Sequence, residues 1–467
     1  MSFTLDTEAT QDHRKAVVPS PQDRAESTAA RQSDQSGQSV PLRRNDGFRL
    51  LLGGSSLSLL GSRVTTIAYP LLALAISGSP LLAGWACFAA TAPSVLVYLP
   101  AGAIVDRCNP RVAMFVCETV RGLAILSVVV LIMSRLTVLL LITAAVIEEI
   151  FEVFSNLAER RLTCSLVEPG NVPSALAGTE ARTHLAVMLG RPLGALLFGV
   201  SHIAPFAFDS FTFGANAATL LKMRKHDRYD LGARGPRANL MREITEGVRW
   251  LSHDSFARIA VPLTAGTTFV GQALIMFFLV QAHAGHLSGL EIGMVLAGSG
   301  LGGALGGLAA PRLFGSLAYT LLNWQLMGWV VTFTWVYQWG WQSPWCIAAA
   351  MMFMSFTGAL GNVALDNYIA QTAGPTLLGR VMSIYSLISF AALAVGPLIG
   401  ATLLSKHSPR HAVLALLFVV VFLWAMQPHE SRRKTRDSYG TAFCRPAAIR
   451  VVLSLGRLVA ARSGARR

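Results

Sequence analysis

Charge is scarce in this chain, and so are the patterns that mark catalytic sites. Charged residues make up 14% of the 467 residues, whereas soluble domains contain roughly a quarter. The six cysteines are scattered without a CxxC pair, which argues against a disulfide framework or a zinc site. The HExxH, GxSxG and Walker patterns are missing, so neither a common hydrolase nor an ATP-driven machine is expected. We therefore do not expect an enzyme.

Long apolar runs make up most of the remainder, since 53% of the residues are hydrophobic and the mean hydropathy is +0.50. A helix needs roughly 20 mostly apolar residues to cross a bilayer. Twelve such stretches lie between residues 49 and 427. They predict an all-α integral membrane protein with twelve transmembrane helices in a lipid bilayer. Residues 1–47 lack the apolar core of a signal peptide, and we expect a disordered cytoplasmic tail there.

The basic residues indicate which side of the membrane each loop occupies. With the N-terminus placed inside, 33 lysines and arginines fall in inner segments. Three fall in outer segments, namely Arg135, Lys406 and Arg410. Because positive charge accumulates on cytoplasmic loops, this asymmetry predicts two cytoplasmic termini in a multi-pass protein of the plasma (inner) membrane. The net charge of +14 then follows from topology, and no nucleic-acid partner is expected.

A weak internal repeat divides the apolar region into two halves. A shift of 205 residues aligns Gly102 with Gly307 and Pro192 with Pro397, in the same order along the chain. Such repeats are typical of transporters whose halves rock about a central site, and each proline is expected to bend its helix. We expect two pseudo-symmetric six-helix bundles at 48–223 and 259–427, a cytoplasmic linker at 224–258 and a basic cytoplasmic tail at 428–467.

The linker contains the segment MREITEGVRWL. Its residues Ile244, Val248 and Leu251 recur at helical spacing and therefore share one face. This pattern predicts an amphipathic helix along the inner membrane surface, with those three residues on its apolar side.

Three carboxylates, Glu148, Glu149 and Glu152, lie within a single apolar stretch. Glu148 and Glu152 share a helical face, and Glu149 lies about 100° away. Ionised groups at membrane depth are costly, so we expect at least one of the three to carry a proton near neutral pH. Arg63 and Arg191, also within apolar stretches, are plausible partners. The pattern is compatible with a structural salt-bridge network, with proton coupling and with a site for a cationic substrate.

Other charged residues also fall within or beside apolar stretches. Glu118 and Arg121 are three residues apart on one predicted helix and are expected to pair with each other. Asp209 begins the sixth stretch near the outer surface, and we expect it to be only partly buried. Asp366 lies near the inner end of the tenth stretch, where we expect a gate or interface partner.

The segment GAIVDRCNPR resembles the signature loop of the major facilitator superfamily. Gly102, Asp106, Arg107 and Arg111 match the family pattern, whereas an Asn-Pro pair replaces its usual Gly-Arg. The resemblance covers residues 48–427 and implies twelve helices in two bundles that alternate in access.

Two further stretches, Leu59–Gly84 and Leu377–Ser383, resemble the branch that contains the enterobactin exporter and macrolide-type efflux proteins. That branch implies export, commonly coupled to proton entry. The segment LGRPLGALLFG around Pro192 resembles the antiporter motif of span five, but it keeps none of the four motif glycines.

The superfamily resemblance also implies that the loop acts as a conformational gate. Asp106 would accept hydrogen bonds from amides at the start of span eleven, near Arg380. Arg111 would bond a carboxylate, for which Glu159 is the candidate. Gly102 would let two helices approach closely. Such a cluster would stabilise the outward-facing state and separate in the inward-facing one.

Taken together, these patterns favour a monomeric, proton-coupled exporter of a small amphipathic compound, such as a drug, a secondary metabolite or a siderophore. The proton gradient would be its driving force, and no cofactor is expected. The alternatives are a nutrient importer working by proton symport and a transporter-like membrane sensor that moves no substrate.

Overall fold

The computed structural model describes residues 45–105, 107–134, 137–167, 171–223, 240–285, 287–313, 318–339 and 344–425. Within these ranges the chain is all-α. The helices are α1 (Asp46–Ser77), α2 (Pro80–Ala89), α3 (Ala92–Val105), α4 (Pro110–Ile132), α5 (Val138–Leu166), α6 (Val172–Val200), α7 (Ala204–Lys222), α8 (Leu240–His253), α9 (Ala257–Ala284), α10 (Gly289–Leu313), α11 (Ala318–Trp339), α12 (Pro344–Thr372), α13 (Gly374–Lys406) and α14 (Pro409–Ala425). Residues 1–44 and 426–467, the first part of the linker (224–239) and Asp106 lie outside the described residues, so the expectations placed on them stay predictions.

Seven helical segments of the described chain are long and apolar enough to cross a membrane. Shorter apolar segments lie in α6 and α14. Large apolar side chains such as Leu96, Val200 and Phe418 are exposed on the outside of the helices. This surface suits lipid, because a helix satisfies its own backbone polar groups and needs no water to do so. The seven segments are Asp46–Ser77, Pro80–Tyr98, Pro110–Ile132, Ala257–Ala284, Gly289–Ala310, Trp345–Thr372 and Leu377–Lys406.

Side chains tie helix ends together at one end of the molecule. Asn45 caps α1 by accepting from the Phe48 amide at 3.0 Å, and its own amide donates to the Leu166 carbonyl at 2.6 Å. Arg161 likewise donates to the Val105 carbonyl at the end of α3. We call this end, where arginines gather, the basic end, and the other the opposite end.

At the opposite end, glycines allow helices from the two halves of the chain to pack closely. A Cβ on Gly289 of α10 would lie 2.6 Å from the Cα of Gly199 on α6. A Cβ on Gly84 of α2 would lie 2.5 Å from the Ala401 side chain on α13. Gly84 and Gly289 are 205 residues apart, which is the repeat shift seen in the sequence. The α2–α13 and α6–α10 contacts are therefore equivalent positions of the repeat.

Towards the basic end the same helices separate. Among the described residues, nothing lies within 4 Å of a Cβ built on Gly102 of α3, Gly178 of α6 or Gly379 of α13. The close approach expected at Gly102 is therefore not made in this conformation. The close glycine contacts described above are therefore found at the opposite end and are not repeated at these three positions.

The linker helix α8 packs against α13. Leu251 is buried and Ile244 packs on the core, whereas Val248 is 48% exposed. Gly247 lies in the contact with α13, and a Cβ there would lie 3.0 Å from the Arg380 carbonyl oxygen. The helix is present where the sequence predicts it, and its position along the inner membrane surface stays a prediction.

Candidate functional site

A cavity of about 320 Å³ lies between the two halves of the chain. Helices α1, α2, α3, α5 and α6 form one wall, and α9 and α13 form the other. All charged residues of the lining belong to the first wall, which we call the charged wall. They are Arg63, Glu149, Glu152, Glu159, Arg160, Arg182 and Arg191.

The second wall, which we call the apolar wall, carries one amide. Gln272 of α9 is its polar member, and the Phe390 ring of α13 lies 6.4 Å from the Tyr98 ring of α3. A cavity with one charged and one apolar wall fits a ligand that is itself amphipathic. The remaining members are Ile275, Met276, Leu279, Leu393 and Pro397.

Arg63 and Glu152 form an ion pair on the charged wall. Nη2 of Arg63 lies 2.7 Å from Oε1 of Glu152, and both residues line the cavity. Gly190 of α6 packs directly on the Arg63 backbone and Cβ. A glycine there lets α6 approach α1 closely enough to hold the Arg63 side chain in the wall.

Behind this pair, Arg121 of α4 contacts three carboxylates. It lies 3.4 Å from Glu118, 3.4 Å from Glu148 and 3.1 Å from Glu152. Its guanidinium also lies over the Phe213 ring, 4.3 Å from the centroid. The predicted pairing of Glu118 with Arg121 is confirmed, and Glu148 and Glu152 share a face as their spacing predicts. This cluster is buried, so it has the character of a fixed structural network.

Hydroxyl groups complete the buried network. Ser58 and Ser155 donate to Glu118 at 2.6 and 2.8 Å, and the Tyr69 hydroxyl donates to Glu148 at 2.6 Å. Carboxylates that are withdrawn from water need such donors, because an unsatisfied buried polar group is costly. The network therefore depends on the polar face of α1 as much as on the arginines.

Asp209 of α7 belongs to the buried region and not to the surface. It is 0% exposed and accepts a hydrogen bond from Thr65 at 2.8 Å. Gly61 of α1 leaves the room that its carboxylate occupies. The expectation of partial burial was wrong because α7 turns this residue towards α1.

Glu149 occupies a different position from its two neighbours on α5. It lines the cavity, and its hydrogen-bond partner is Ser94 of α3. Among the described residues, no cation lies within ion-pair distance of its carboxylate. Successive residues of a helix are rotated by about 100° around its axis. One turn of α5 can therefore place Glu148 in the buried network and Glu149 in the cavity.

Arg191 of α6 is a cavity cation that has no acidic group at ion-pair distance among the described residues. It lines the cavity, and its Nε is buried with no hydrogen-bond partner among the described groups. Arg63 and Cys87 are the groups that act on it electrostatically. The expected pairing of Arg191 with a glutamate of α5 was wrong, because Arg63 and Arg121 take those partners from helices that pack closely on α5.

The chain matches the family of transmembrane secretion effectors over residues 36–442. The chain belongs to this family of the major facilitator superfamily. It is therefore a multi-pass membrane transporter of the efflux branch, and the resemblance seen in the signature loop is confirmed.

Relatives of this transporter come from several bacteria. The transporter y4rN of Sinorhizobium fredii, described as uncharacterised, is 25% identical over 384 residues, which cover 79% of this chain and 91% of the relative. The multidrug efflux pump Tap of Mycobacterium tuberculosis is 23% identical over 391 residues, which cover 80% and 90%.

Solved transporters share the fold. The nucleoside transporter NupG superimposes with a TM-score of 0.63 at 11% identity, covering 81% of this chain and 98% of NupG. A bacterial homologue of the lysosomal transporter Spinster, inward-facing and occupied, gives 0.61 at 14% identity, covering 84% and 98%. At these identities the likeness concerns the fold alone.

In this transporter the arginines of the signature loop make different contacts from those expected. Arg111 donates to the carbonyls of Leu220 and Leu221 at 2.7 and 2.9 Å. These carbonyls end α7 and have no intrahelical partner, so a cation is favourable there. Glu159 is therefore not the partner of Arg111, and that expectation was wrong. Arg107 is exposed.

Glu159 instead pairs with an arginine of α6. Arg182 of α6 lies 2.7 Å from Glu159, and Ser55 of α1 donates to the same carboxylate at 2.7 Å. Arg182 also donates to Ser55. The pair joins α1, α5 and α6 on the charged wall, towards the basic end.

The remaining gate candidates lie on α12 and α13. Arg380 pairs with Glu246 of the linker helix α8. Asp366 interacts electrostatically with Tyr385 of α13. Asp106 of the signature loop lies outside the described residues, so its expected place near Arg380 stays a prediction.

The two prolines lie inside continuous helices, Pro192 in α6 and Pro397 in α13. The Pro192 carbonyl would lie 3.1 Å from a Cβ on Gly293, and the Pro397 carbonyl 3.4 Å from one on Gly84. Both prolines therefore stand at the close contacts between the halves, and the predicted bends remain predictions.

Sequence reasoning missed Tyr69, Arg182 and the cavity residue Gln272. One signal was present for the network, since serines recur along α1 at helical spacing and mark its polar face. They are Ser55, Ser58 and Ser62.

Proposed function

We propose that this transporter is a proton-coupled exporter of small amphipathic compounds that works by alternating access. The observation that carries the proposal is the place of Glu149. It is a cavity carboxylate with no cation at ion-pair distance in the part of the chain that the structure describes, and it lies beside the Arg63–Glu152 pair and opposite the apolar wall. A proton and a substrate that reach the same cavity can compete, directly or through the equilibrium between the two conformations, which is the requirement of antiport. The relative Tap, a multidrug efflux pump, supports the direction of flux.

Twelve membrane crossings account for the helices. A single apolar segment, Pro80–Tyr98, runs through α2 and into α3, so these two make one crossing. The linker helix α8 makes none, because it keeps an exposed polar face. The others form six-helix bundles at 48–223 and 259–427, joined by the linker at 224–258. The tails at 1–47 and 428–467 lie in the cytoplasm, and a monomer in the plasma membrane suffices.

Charge balance supports proton binding at Glu149. Ionised carboxylates in excess of cations are costly at membrane depth, so part of this cluster holds protons at neutral pH. Glu149 alone among the α5 glutamates faces the cavity without a cation, so a proton reaches and leaves it without disturbing the buried network. The cations of this region are Arg63, Arg121 and Arg191, and the carboxylates are the five of Glu118, Glu148, Glu149, Glu152 and Asp209.

The transport cycle follows from the two ends of the molecule. A substrate enters through the basic end, which faces the cytoplasm, and lies between the charged and apolar walls. The halves then rock, so that the glycine contact between Gly199 and Gly289 opens while the helices around Gly102 approach. The signature loop, with Asp106, Arg107 and Arg111, stabilises this second state. The substrate leaves on the outside, Glu149 takes up a proton there, and the proton is released inside on return.

Inverted membrane vesicles with an imposed pH gradient, acid inside, test the proposal with a panel of lipophilic dyes and antibiotics. We expect wild-type vesicles to accumulate at least one compound only in the presence of the gradient. Glu149→Gln should abolish that dependence, whereas Glu291→Gln, an exposed glutamate that caps α10 outside the cavity, should retain it.

Other outcomes decide against export. Accumulation that is indifferent to the gradient and to Glu149→Gln would exclude proton coupling through this residue. Uptake along with protons in right-side-out vesicles would favour a nutrient importer. Vesicles of both orientations that move none of the compounds would favour a membrane sensor.

A further inference from the structure

Arg191 differs from the other half-buried arginines that line the cavity, and the further lining arginine, Arg160, is exposed. Arg63 is paired with Glu152 and Arg182 with Glu159, each at 2.7 Å. Arg191 has no such acid among the described residues, although its Nε is buried. An uncompensated guanidinium in a low-dielectric site is costly, so its presence calls for an anion that arrives from elsewhere.

The residues around Arg191 indicate what kind of molecule carries this anionic group. Cys87 and Arg63 lie beside it on the charged wall. The apolar wall lies across the cavity from them. Its side chains include Met276 and Phe390, and Gln272 adds a hydrogen-bonding group. A bound molecule would therefore place an acidic group on one wall and an apolar body on the other.

We propose that Arg191 binds the acidic group of the substrate, and that the cargo class is amphipathic organic acids. This inference rests on the proposed function and narrows it. A guanidinium suits the role because its fork donates two hydrogen bonds to a carboxylate or sulfonate and stays charged at any working pH. The cavity of about 320 Å³ sets the size of the body to that of two or three fused or linked rings.

A cationic cargo bound at Glu149 is the competing assignment. It would leave the Arg191 charge uncompensated and would add a third positive group near Arg63. An acid bound at Arg191 leaves Glu149 free to exchange its proton, with Ser94 as its partner. The proposed cargo site and the proton site are therefore two different residues of the charged wall.

Two dyes that differ only in an anionic group test the proposal. They are 1-anilinonaphthalene-8-sulfonate and its neutral parent N-phenyl-1-naphthylamine, titrated by fluorescence into the full-length protein in nanodiscs without a pH gradient. We expect the wild type to bind the anionic dye more tightly than the neutral one. Arg191→Gln should weaken the anionic dye roughly ten- to a hundredfold, the usual value of a charge-assisted contact, and change the neutral dye by less than about twofold. Arg191→Lys should recover part of the loss.

Matched controls separate this effect from a general change of charge or fold. Arg410→Gln removes one exposed positive charge at the opposite end and should leave both dyes unaffected. If Arg191→Gln does not fold, the proposal is still tested by comparing the two dyes on the wild type and by the binding of both dyes to Arg191→Lys.

The proposal is overturned by equal affinity of the wild type for both dyes, or by anionic binding that Arg191→Gln leaves intact. Tighter binding of the cationic dye rhodamine 6G than of the anionic dye would overturn it in favour of a cationic cargo at Glu149. Because no gradient is present, these results do not depend on proton coupling. Gradient-driven flux that persists while the dye result fails would refute the cargo class and leave the exporter intact.

Discussion

Glu152 connects a guanidinium that faces the cavity with one that does not. Its two oxygens lie 2.7 Å from Arg63 on the cavity wall and 3.1 Å from the buried Arg121. Arg121 retains Glu118 and Glu148 whatever happens at Glu152, whereas Arg63 has no other acid among the ion pairs of the described residues. The loss of the Glu152 carboxylate therefore affects Arg63 more than it affects Arg121.

This arrangement predicts unequal costs for the two halves of the pair. Glu152→Gln should lower the free energy of unfolding by about 2 kcal/mol, because it leaves Arg63 uncompensated in the wall. Arg63→Gln should cost less, because Glu152 keeps Arg121. The double variant should be no less stable than Glu152→Gln alone. Thermal unfolding of the purified protein in detergent measures all three.

Combining Arg63→Gln with the distant Glu291→Gln provides the control for that cycle. These two sites are at different places in the fold, so their effects should add. Additivity of Arg63→Gln and Glu152→Gln would mean that the pair contributes nothing to stability.

A second prediction concerns the glycine contact at the opposite end. Gly289→Val should hold that end apart, because its Cβ would lie 2.6 Å from the Gly199 Cα. Cys87 lines the cavity. When the other cysteines are replaced, its labelling measures access to the cavity. In the wild type we expect an impermeant maleimide to label Cys87 mainly from the basic end, and in Gly289→Val also from the opposite end.

Gly214→Val is the matched control, because nothing lies within 4 Å of a Cβ at that position of α7. It should leave the labelling as in the wild type. Identical labelling of Gly289→Val and Gly214→Val would show that the contact does not close the cavity.

The apolar wall should affect affinity without affecting coupling. Phe390→Ala removes a ring from the cavity and should weaken binding of anionic and neutral dyes alike, by roughly five- to tenfold. The ratio of flux with and without a pH gradient should stay at the wild-type value. Phe418→Ala, which removes an equal ring that is 73% exposed outside the cavity, should change neither quantity. Loss of gradient dependence in Phe390→Ala would show that the two walls are not separable.

The linker helix should depend on its contact with α13. Glu246→Gln removes the partner of Arg380, and we expect amide exchange in residues 240–253 to become roughly fivefold faster, as befits a partly exposed pair. Exchanging the charges, with Glu246→Arg and Arg380→Glu together, should restore slow exchange. Arg249→Gln on the exposed side of α8 should have no effect. Equal exchange in Glu246→Gln and Arg249→Gln would assign the docking of α8 to Gly247 and Leu251 alone.

Relationships within one helix could be predicted from the sequence. Helical geometry fixes the pairing of Glu118 with Arg121 and the shared face of Glu148 and Glu152, whatever the helices pack against. The all-α class was predictable for a similar reason, since long apolar runs without charge have few alternatives to membrane helices.

Partners on different helices could not be predicted in the same way. The sequence makes Glu159 a candidate partner of Arg111 because both lie at the inner side of the membrane, and it makes Arg191 a plausible partner of Glu148, Glu149 and Glu152 because all four lie within apolar stretches. Depth follows from position in a run, but the rotation of each helix about its axis follows from packing. The rotation of α6 brings Arg182 to Glu159 and leaves Arg191 in the cavity. The serines of α1 were the available indication of such a rotation.

The charged residues of the cavity all come from the first half of the chain, and the second half contributes apolar side chains and one amide. Under the proposed mechanism, the proton site Glu149 and the cargo anchor Arg191 therefore both lie in the first half of the chain, and the surface that meets the apolar body of the cargo lies in the second. Substitutions in α9 and α13 would then change which apolar bodies are accepted while both charged groups stay in place.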